Sequence, residues 1–303
     1  MKHKLFSLII ISTGILLVLS CSENKSGGSD EFNELSRVDT SGQVNEATSE
    51  LATEVIKSIP PPVEIETMIK NSGAEYNSSI LNNAENYKSY STNYLKAINL
   101  GVYGADLGYI NIYNHKEDAL TYLNTVVKLA EDLKVGQFFD YETIKRIANN
   151  NQNLDSLLDI TTTNFEKMNN YLQEQDRSNI SMYMLTGGWL EALNISCTVA
   201  LGEKNKALYE KIGEQKVVLD QILLLLGFYK GDPNAVELNK ALMEVKSEYD
   251  KVKIETIYAE PTMVEENGAL VVKDNSKTVI NITEENVKML DEKIKAIRKK
   301  IVS

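Results

Sequence analysis

Across 303 residues the chain carries a net charge of −11, with 43% apolar and 25% charged residues, five prolines and two cysteines. An acidic surface of this kind repels phosphate backbones and anionic headgroups, which excludes nucleic acid as a partner. The apolar share is too high for extended disorder, and two cysteines cannot build a disulfide framework.

Lys2 and Lys4 precede an uncharged apolar stretch, Leu5 to Leu19, and Ser20 stands directly before Cys21. That is the layout of a secretory signal peptide. An uncleaved membrane anchor is the competing expectation. Leu5 to Leu19 is shorter than the roughly 20 residues a spanning helix needs, and Ser7, Ser12, Thr13 and Gly14 weaken it further. The small residue before cysteine resembles the lipobox of bacterial lipoproteins. The resemblance implies acylation of Cys21, which then becomes the first residue of a 283-residue mature chain, and membrane attachment through that lipid. In the sorting rule known for enteric bacteria, Ser22 beside the lipidated position points to the outer membrane. Ser29-Asp30-Glu31 resembles the export signal of surface lipoproteins in Bacteroidota, which leaves the periplasmic and surface faces both open.

Three parts are therefore expected: a signal peptide at 1–20, the lipidated cysteine with a flexible tether at 21–37, and one helical extracytoplasmic domain at 38–303. The tether, Ser22 to Arg37, lacks apolar periodicity and as a coil would span roughly 20–25 Å.

Beyond the tether the chain reads as an all-α bundle of helical hairpins. Val44, Ala47, Leu51, Val55 and Ile59 predict a first helix that stops at Pro60-Pro61-Pro62. A short helix is expected from Val63 to Asn71, ending at Gly73. A long one from Thr92 to Asn114 pairs with another built on Ala119, Leu123, Val126, Ala130 and Leu133, closed by Gly136. Asp140 caps a short helix ending at Asn149-Asn150-Asn151, and Leu154, Leu157, Leu158, Phe165, Met168 and Leu172 mark the next. Ile180 to Leu201 and Asn205 to Tyr229 form a second long hairpin, broken at Gly202. Asp232-Pro233 then starts a helix through Val252, with Asp as N-cap and Pro at the first helical position. Residues 262–282 change period. The runs Leu270-Val271-Val272 and Val279-Ile280, separated by turn residues, predict a small β-hairpin or meander. Thr283-Glu284-Glu285 opens the last helix, and Arg298-Lys299-Lys300 at its end reads as charge placed to suit the helix dipole. The two long hairpins echo each other, Gly101-Val102-Tyr103-Gly104-Ala105 against Gly188-Trp189-Leu190-Glu191-Ala192, through duplication or coincidence.

The segments Ile59-Pro60-Pro61-Pro62-Val63-Glu64-Ile65, Gly73-Ala74-Glu75-Tyr76 and Ala97 to Tyr109 resemble a group of uncharacterised helical lipoproteins of Bacteroidota, most clearly over 59–135. The resemblance implies envelope location and helical fold, and it transfers no active site.

Catalytic constellations are nearly missing from the sequence. His3 belongs to the signal peptide, His115 lies at a charged turn, and Cys197 reads as a small buried apolar residue, so zinc sites and a Ser-His-Asp arrangement have no basis. No catalytic residue, metal or cofactor is assigned. The one unusual segment is Leu100 to Tyr113. Gly101, Gly104 and Gly108 each cost up to about 1 kcal/mol against alanine in a helix. Either they permit a close helix crossing around a structural Asp106 satisfied by tyrosine hydroxyls or backbone N–H groups, or they floor a ligand pocket whose contacts are Asp106, Tyr103 and Tyr109. Trp189, after Gly187-Gly188, poses the same choice. The expected function is a non-catalytic binding or interaction module whose partner is an envelope protein or a small ligand. The alternative is a helical enzyme using carboxylates and tyrosines on a glycan or peptide.

Overall fold

The structure is a computed structural model that describes residues 46–59, 68–139, 154–266, 269–273 and 275–303. Cys21, the signal peptide and tether, the proline triplet and the helix expected to start at Asp140 lie outside the described residues. Among the described residues no helix is long and apolar enough to cross a membrane.

The helices fall close to where the apolar periodicity sets them. α1 spans Glu46–Ser58, but its buried face differs from the expected one. Ala52, Ile56 and Ile59 turn into the core while Leu51 stays 40% exposed. Both stripes have helical spacing, and tertiary packing selects between them. A helical turn at 68–71 leads to Gly73, whose φ of +84° suits glycine. Two 3₁₀ turns follow, Ser78–Ile80 and Ala84–Ser89, each capped by an asparagine side chain, Asn77 or Asn83.

α2 runs Asn93–Ile112, with the Thr92 hydroxyl accepting from the Leu95 N–H at 3.1 Å. From 97 to 112 every residue except Gly104 is buried, so this helix passes through the middle of the protein. α3 (Lys116–Asp132) returns alongside it and ends at Leu133, before Lys134 in left-handed conformation; Gly136 opens a 3₁₀ turn rather than closing the helix. α4 spans Leu154–Glu174 and α5 Ser178–Glu203. α5 does not break at Gly202. It runs one residue further and stops where Lys204 turns left-handed at φ 49°. α6 (Lys206–Gly227) starts at Asn205, whose side chain accepts from the N–H groups of Ala207 and Leu208. α7 (Pro233–Tyr249) has the expected Asp232 cap and first-position proline.

The late β excursion takes the hairpin form of the two expected, and it begins earlier, at Lys253 rather than at 262. α7 ends at Tyr249, three residues before the expected Val252, and β1 (Lys253–Ile257) follows in a stretch with no expected element. β2 (Thr262–Glu266) and β3 (Ala269–Lys273) form one antiparallel pair, and β1 pairs with β4 (Lys277–Asn281) to form the other. At the base, Ile280 fills the space left by Gly213 on α6, where a Cβ would stand 2.5 Å from its Cγ2. α8 (Glu284–Val302) opens with a capping box between Thr283 and Asn286 and buries Val287, Leu290, Ile294, Ile297 and Ile301 at helical spacing.

The centre of the core is the contact between α2 and α5, which run parallel. Tyr94 meets Tyr183 edge-on at 4.8 Å, Ile98 meets Gly187, and Gly101 meets Gly188. A Cβ on Gly101 would lie 1.8 Å from the Met184 carbonyl oxygen, and one on Gly187 would lie 1.9 Å from that of Ile98. Each helix thus offers a glycine three residues after the carbonyl that receives the other helix's glycine. The two echoing sequence segments are the two sides of one crossing.

Candidate functional site

Close packing at the glycines sets what stands one turn further along. Asp106 on α2 and Glu191 on α5 are both fully buried, at 0% exposure, and their carboxyl groups face each other. Two carboxylates in a dry interior repel strongly, so the pair needs a cation, a proton or both. The structure shows the cation and favours the proton.

Arg298 on α8 reaches in as the cation. Its Nε donates to Glu191 Oε2 at 2.5 Å, its Nη2 donates to Glu191 Oε1 at 2.8 Å, and Nη2 also points at the Ile80 carbonyl at 3.3 Å. The planar guanidinium matches a carboxylate in this two-pronged way, which a lysine cannot do. Asn194 Nδ2 adds a longer contact to Glu191 at 3.4 Å. Arg298 therefore belongs to the core and is not a dipole-complementing surface charge as its sequence position suggested.

The surroundings of Asp106 favour its protonated form. Burial above all, then the negative field of Glu191, push the Asp106 carboxyl well above the usual carboxylate range, against the opposing pull of Arg298 and of the Asn82 N–H. Asp106 Oδ2 accepts from that N–H at 3.2 Å, and no donor reaches Oδ1. As a carboxylate, Asp106 would leave Oδ1 buried and unsatisfied beside another anion. As a carboxylic acid it donates to Glu191 and the orphan atom is accounted for. The cluster then carries one negative and one positive charge.

A shell of amides locks the surroundings. Asn82 Nδ2 donates to the Tyr90 hydroxyl at 3.0 Å, and Asn86 Nδ2 donates to Asn82 Oδ1 at 2.9 Å. Asn99 Nδ2 donates to the carbonyls of Leu95 at 2.9 Å and Ile301 at 2.5 Å. Tyr90 and Asn86 both reach the Val302 carbonyl at 3.4 Å. The last carbonyls of α8, which have no partners within their own helix, are thus taken up by α2 and the segment before it.

The residues singled out from sequence distribute as follows. Tyr103 is fully buried near Asp106, but its hydroxyl donates to the Asn83 carbonyl at 2.7 Å. Tyr109 accepts from the Asn77 N–H at 3.1 Å, stacks with Tyr76 and meets Tyr113 at a tilt in a separate aromatic cluster. Trp189 donates from Nε1 to Gln215 at 3.1 Å. Of the two kinds of partner expected for Asp106, a backbone N–H, that of Asn82, reaches it and no tyrosine hydroxyl does, while Trp189 bonds elsewhere, to Gln215. Gly101 sits at the helix crossing, Gly104 faces the Phe165 ring, where a Cβ would be 2.9 Å from Cζ, and Gly108 is buried in the same helix. Cys197 is free and buried, its thiol pushed far up by burial.

Sequence reasoning missed Glu191 and Arg298. The signal for Glu191 was a single charge inside Trp189-Leu190-Glu191-Ala192-Leu193. The signal for Arg298 was its place four residues after Ile294 and three before Ile301, on the apolar stripe of α8. Among the described residues no group of three or more His, Cys, Asp or Glu side chains is arranged to hold a metal ion. Comparison with protein-family models, with curated sequences and with solved structures returns no match.

Proposed function

We propose that this chain is a lipid-anchored, non-catalytic interaction module of the cell envelope, held at the outer membrane by acyl chains on Cys21. The Lys2-to-Cys21 pattern supports the anchor. The observation that carries the non-catalytic half is the closure of the carboxyl pair. A pair of facing carboxyl groups, one of them with its proton favoured by burial, is the usual material of general acid and base catalysis. Both are at 0% exposure, however, and the Arg298 guanidinium and the Asn82 backbone occupy the polar approaches to them. A substrate atom must come within hydrogen-bond reach of a catalytic group, and here those positions are filled by the protein itself. The cluster joins α2, α5 and α8 and fixes their register.

Cys21→Ala tests the anchor. The variant is expected as unacylated protein in the aqueous fraction or as uncleaved precursor, and normal acylation with full membrane recovery contradicts it. The rival, a hydrolase acting on a glycan or peptide through Asp106 and Glu191, requires a turnover that Asp106→Asn abolishes in a normally folded protein. Detection of such a turnover overturns the non-catalytic half.

A further inference from the structure

The glycines bring the α2 and α5 backbones into direct contact, since a Cβ on Gly101 or Gly187 would overlap a carbonyl oxygen of the other helix. Asp106 stands a little more than one turn beyond Gly101, and Glu191 about one turn beyond Gly187. The approach of the two carboxyl groups is therefore set by backbone packing.

The groups that could answer their charge are few. Both oxygens of Glu191 accept from Arg298, Oε2 from Nε and Oε1 from Nη2. Asp106 receives one N–H, that of Asn82 at 3.2 Å, and no donor reaches its other oxygen. The other titratable groups facing Asp106 are Tyr103 on its own helix, Tyr90 in the segment before α2, and Tyr122 on α3. Burial pushes all three hydroxyls up, so they stay neutral well beyond neutral pH. From α4 comes the uncharged Phe165 ring, at Gly104. One cation thus serves two carboxyl groups at 0% exposure, and a second full negative charge has nothing to meet it.

We propose that the α2–α5 crossing is a proton-dependent lock, closed while Asp106 and Glu191 hold one proton between them, so that the fold tightens in acid and loosens as pH rises. In the unfolded chain both carboxyl groups ionise above about pH 4. In the folded chain the pair keeps one proton, so folding above that pH takes a proton up. Mass action then shifts the balance toward the unfolded chain by about tenfold for each pH unit, until the folded pair itself ionises and the loss levels off. A carboxylate–arginine pair without the extra carboxyl has the opposite sign, because acid removes its charge. The lock goes beyond the proposed interaction role by making the fold respond to its surroundings, and it holds whether or not Cys21 is acylated.

Denaturant unfolding of the full-length chain in mild detergent, from pH 5 to pH 8, tests this with Asp106→Asn alongside. Asparagine keeps the shape of the protonated acid and has an N–H to donate to Glu191, but it has no proton to lose. The unfolding equilibrium constant of the parent, divided by that of the variant, is expected to rise at least ~30-fold over this range. A smaller rise, or a fall of the kind a simple ion pair gives, overturns the proposal. Proton uptake by the parent alone covers the case in which Asp106→Asn does not fold. Refolding at pH 7 in weak buffer with a pH indicator is expected to take up about one proton per chain, and an uptake below about half a proton overturns the proposal.

Discussion

The α2–α5 crossing keeps an aspartate and a glutamate inside the molecule, met by a partly buried arginine from α8, whereas the β2–β3 hairpin keeps a methionine, a leucine and two valines outside it. Buried charge and exposed apolar clusters are the two departures from ordinary partitioning that carry information. They teach different things here. The interior cluster balances itself: one proton, one guanidinium and a ring of amides leave no charge unanswered. The hairpin leaves its apolar residues open. The first region explains how the fold is held, and the second adds little to holding it.

Arg298→Met breaks the interior region most severely. It leaves the Glu191 carboxylate buried without its cation and frees the Ile80 carbonyl, a change that typically costs about 3–5 kcal/mol. Chemical denaturation of the variant against the parent reads this directly; a loss within 1 kcal/mol on that scale would mean the guanidinium is a surface charge after all.

The glycines sharpen the same region. Gly101→Ala drives a methyl group into the Met184 carbonyl, and backbone in a packed crossing cannot step aside. A loss at the top of the overpacking range, about 3 kcal/mol, is expected. Gly104→Ala meets only the tip of the Phe165 ring, which can swing. Its packing cost is offset by a gain in helix propensity of up to about 1 kcal/mol, so it should stay within about 1 kcal/mol of the parent. Equal melting temperatures for the two variants would contradict the crossing geometry.

The hairpin should respond least. Val272→Thr keeps the β-branched shape on an exposed strand and is expected to change stability by no more than about 0.5 kcal/mol, measured in the same denaturation series. A large loss would place Val272 in the folding core rather than on an exposed strand.

Much of the fold was legible because periodicity and caps are local. Thr92, Asn205, Asp232 and Thr283 begin their helices where the sequence placed them. What was hidden depends on long-range packing. Leu51 and Ile56 both fit a helical stripe, and only the neighbours of α1 decide which one is buried. β1 lies between the helix expected through Val252 and the change of period expected from 262, and only its long-range pairing with β4 makes it a strand. At the site, Asp106 and the glycine segment were visible as anomalies within one helix. Their meaning was not, since Glu191 lies 85 positions and Arg298 lies 192 positions further along the chain. Arg298 stood in a basic run whose neighbours, Lys299 and Lys300, do suit a helix end, and that local explanation masked the inward one.

The account rests on a proton. Burial and Glu191 raise the Asp106 carboxyl well above its ordinary value, which favours the protonated form that can donate to Glu191. Carboxyl ¹³C chemical shifts of the labelled chain, with Asp106→Asn to assign the resonance, report that state directly. The expected result is an Asp106 signal at the protonated shift at pH 7, unmoved through the usual aspartate range near pH 4. A signal that titrates near pH 4 and is ionised at pH 7 would contradict it, because two anions would then share a closed core with a single arginine.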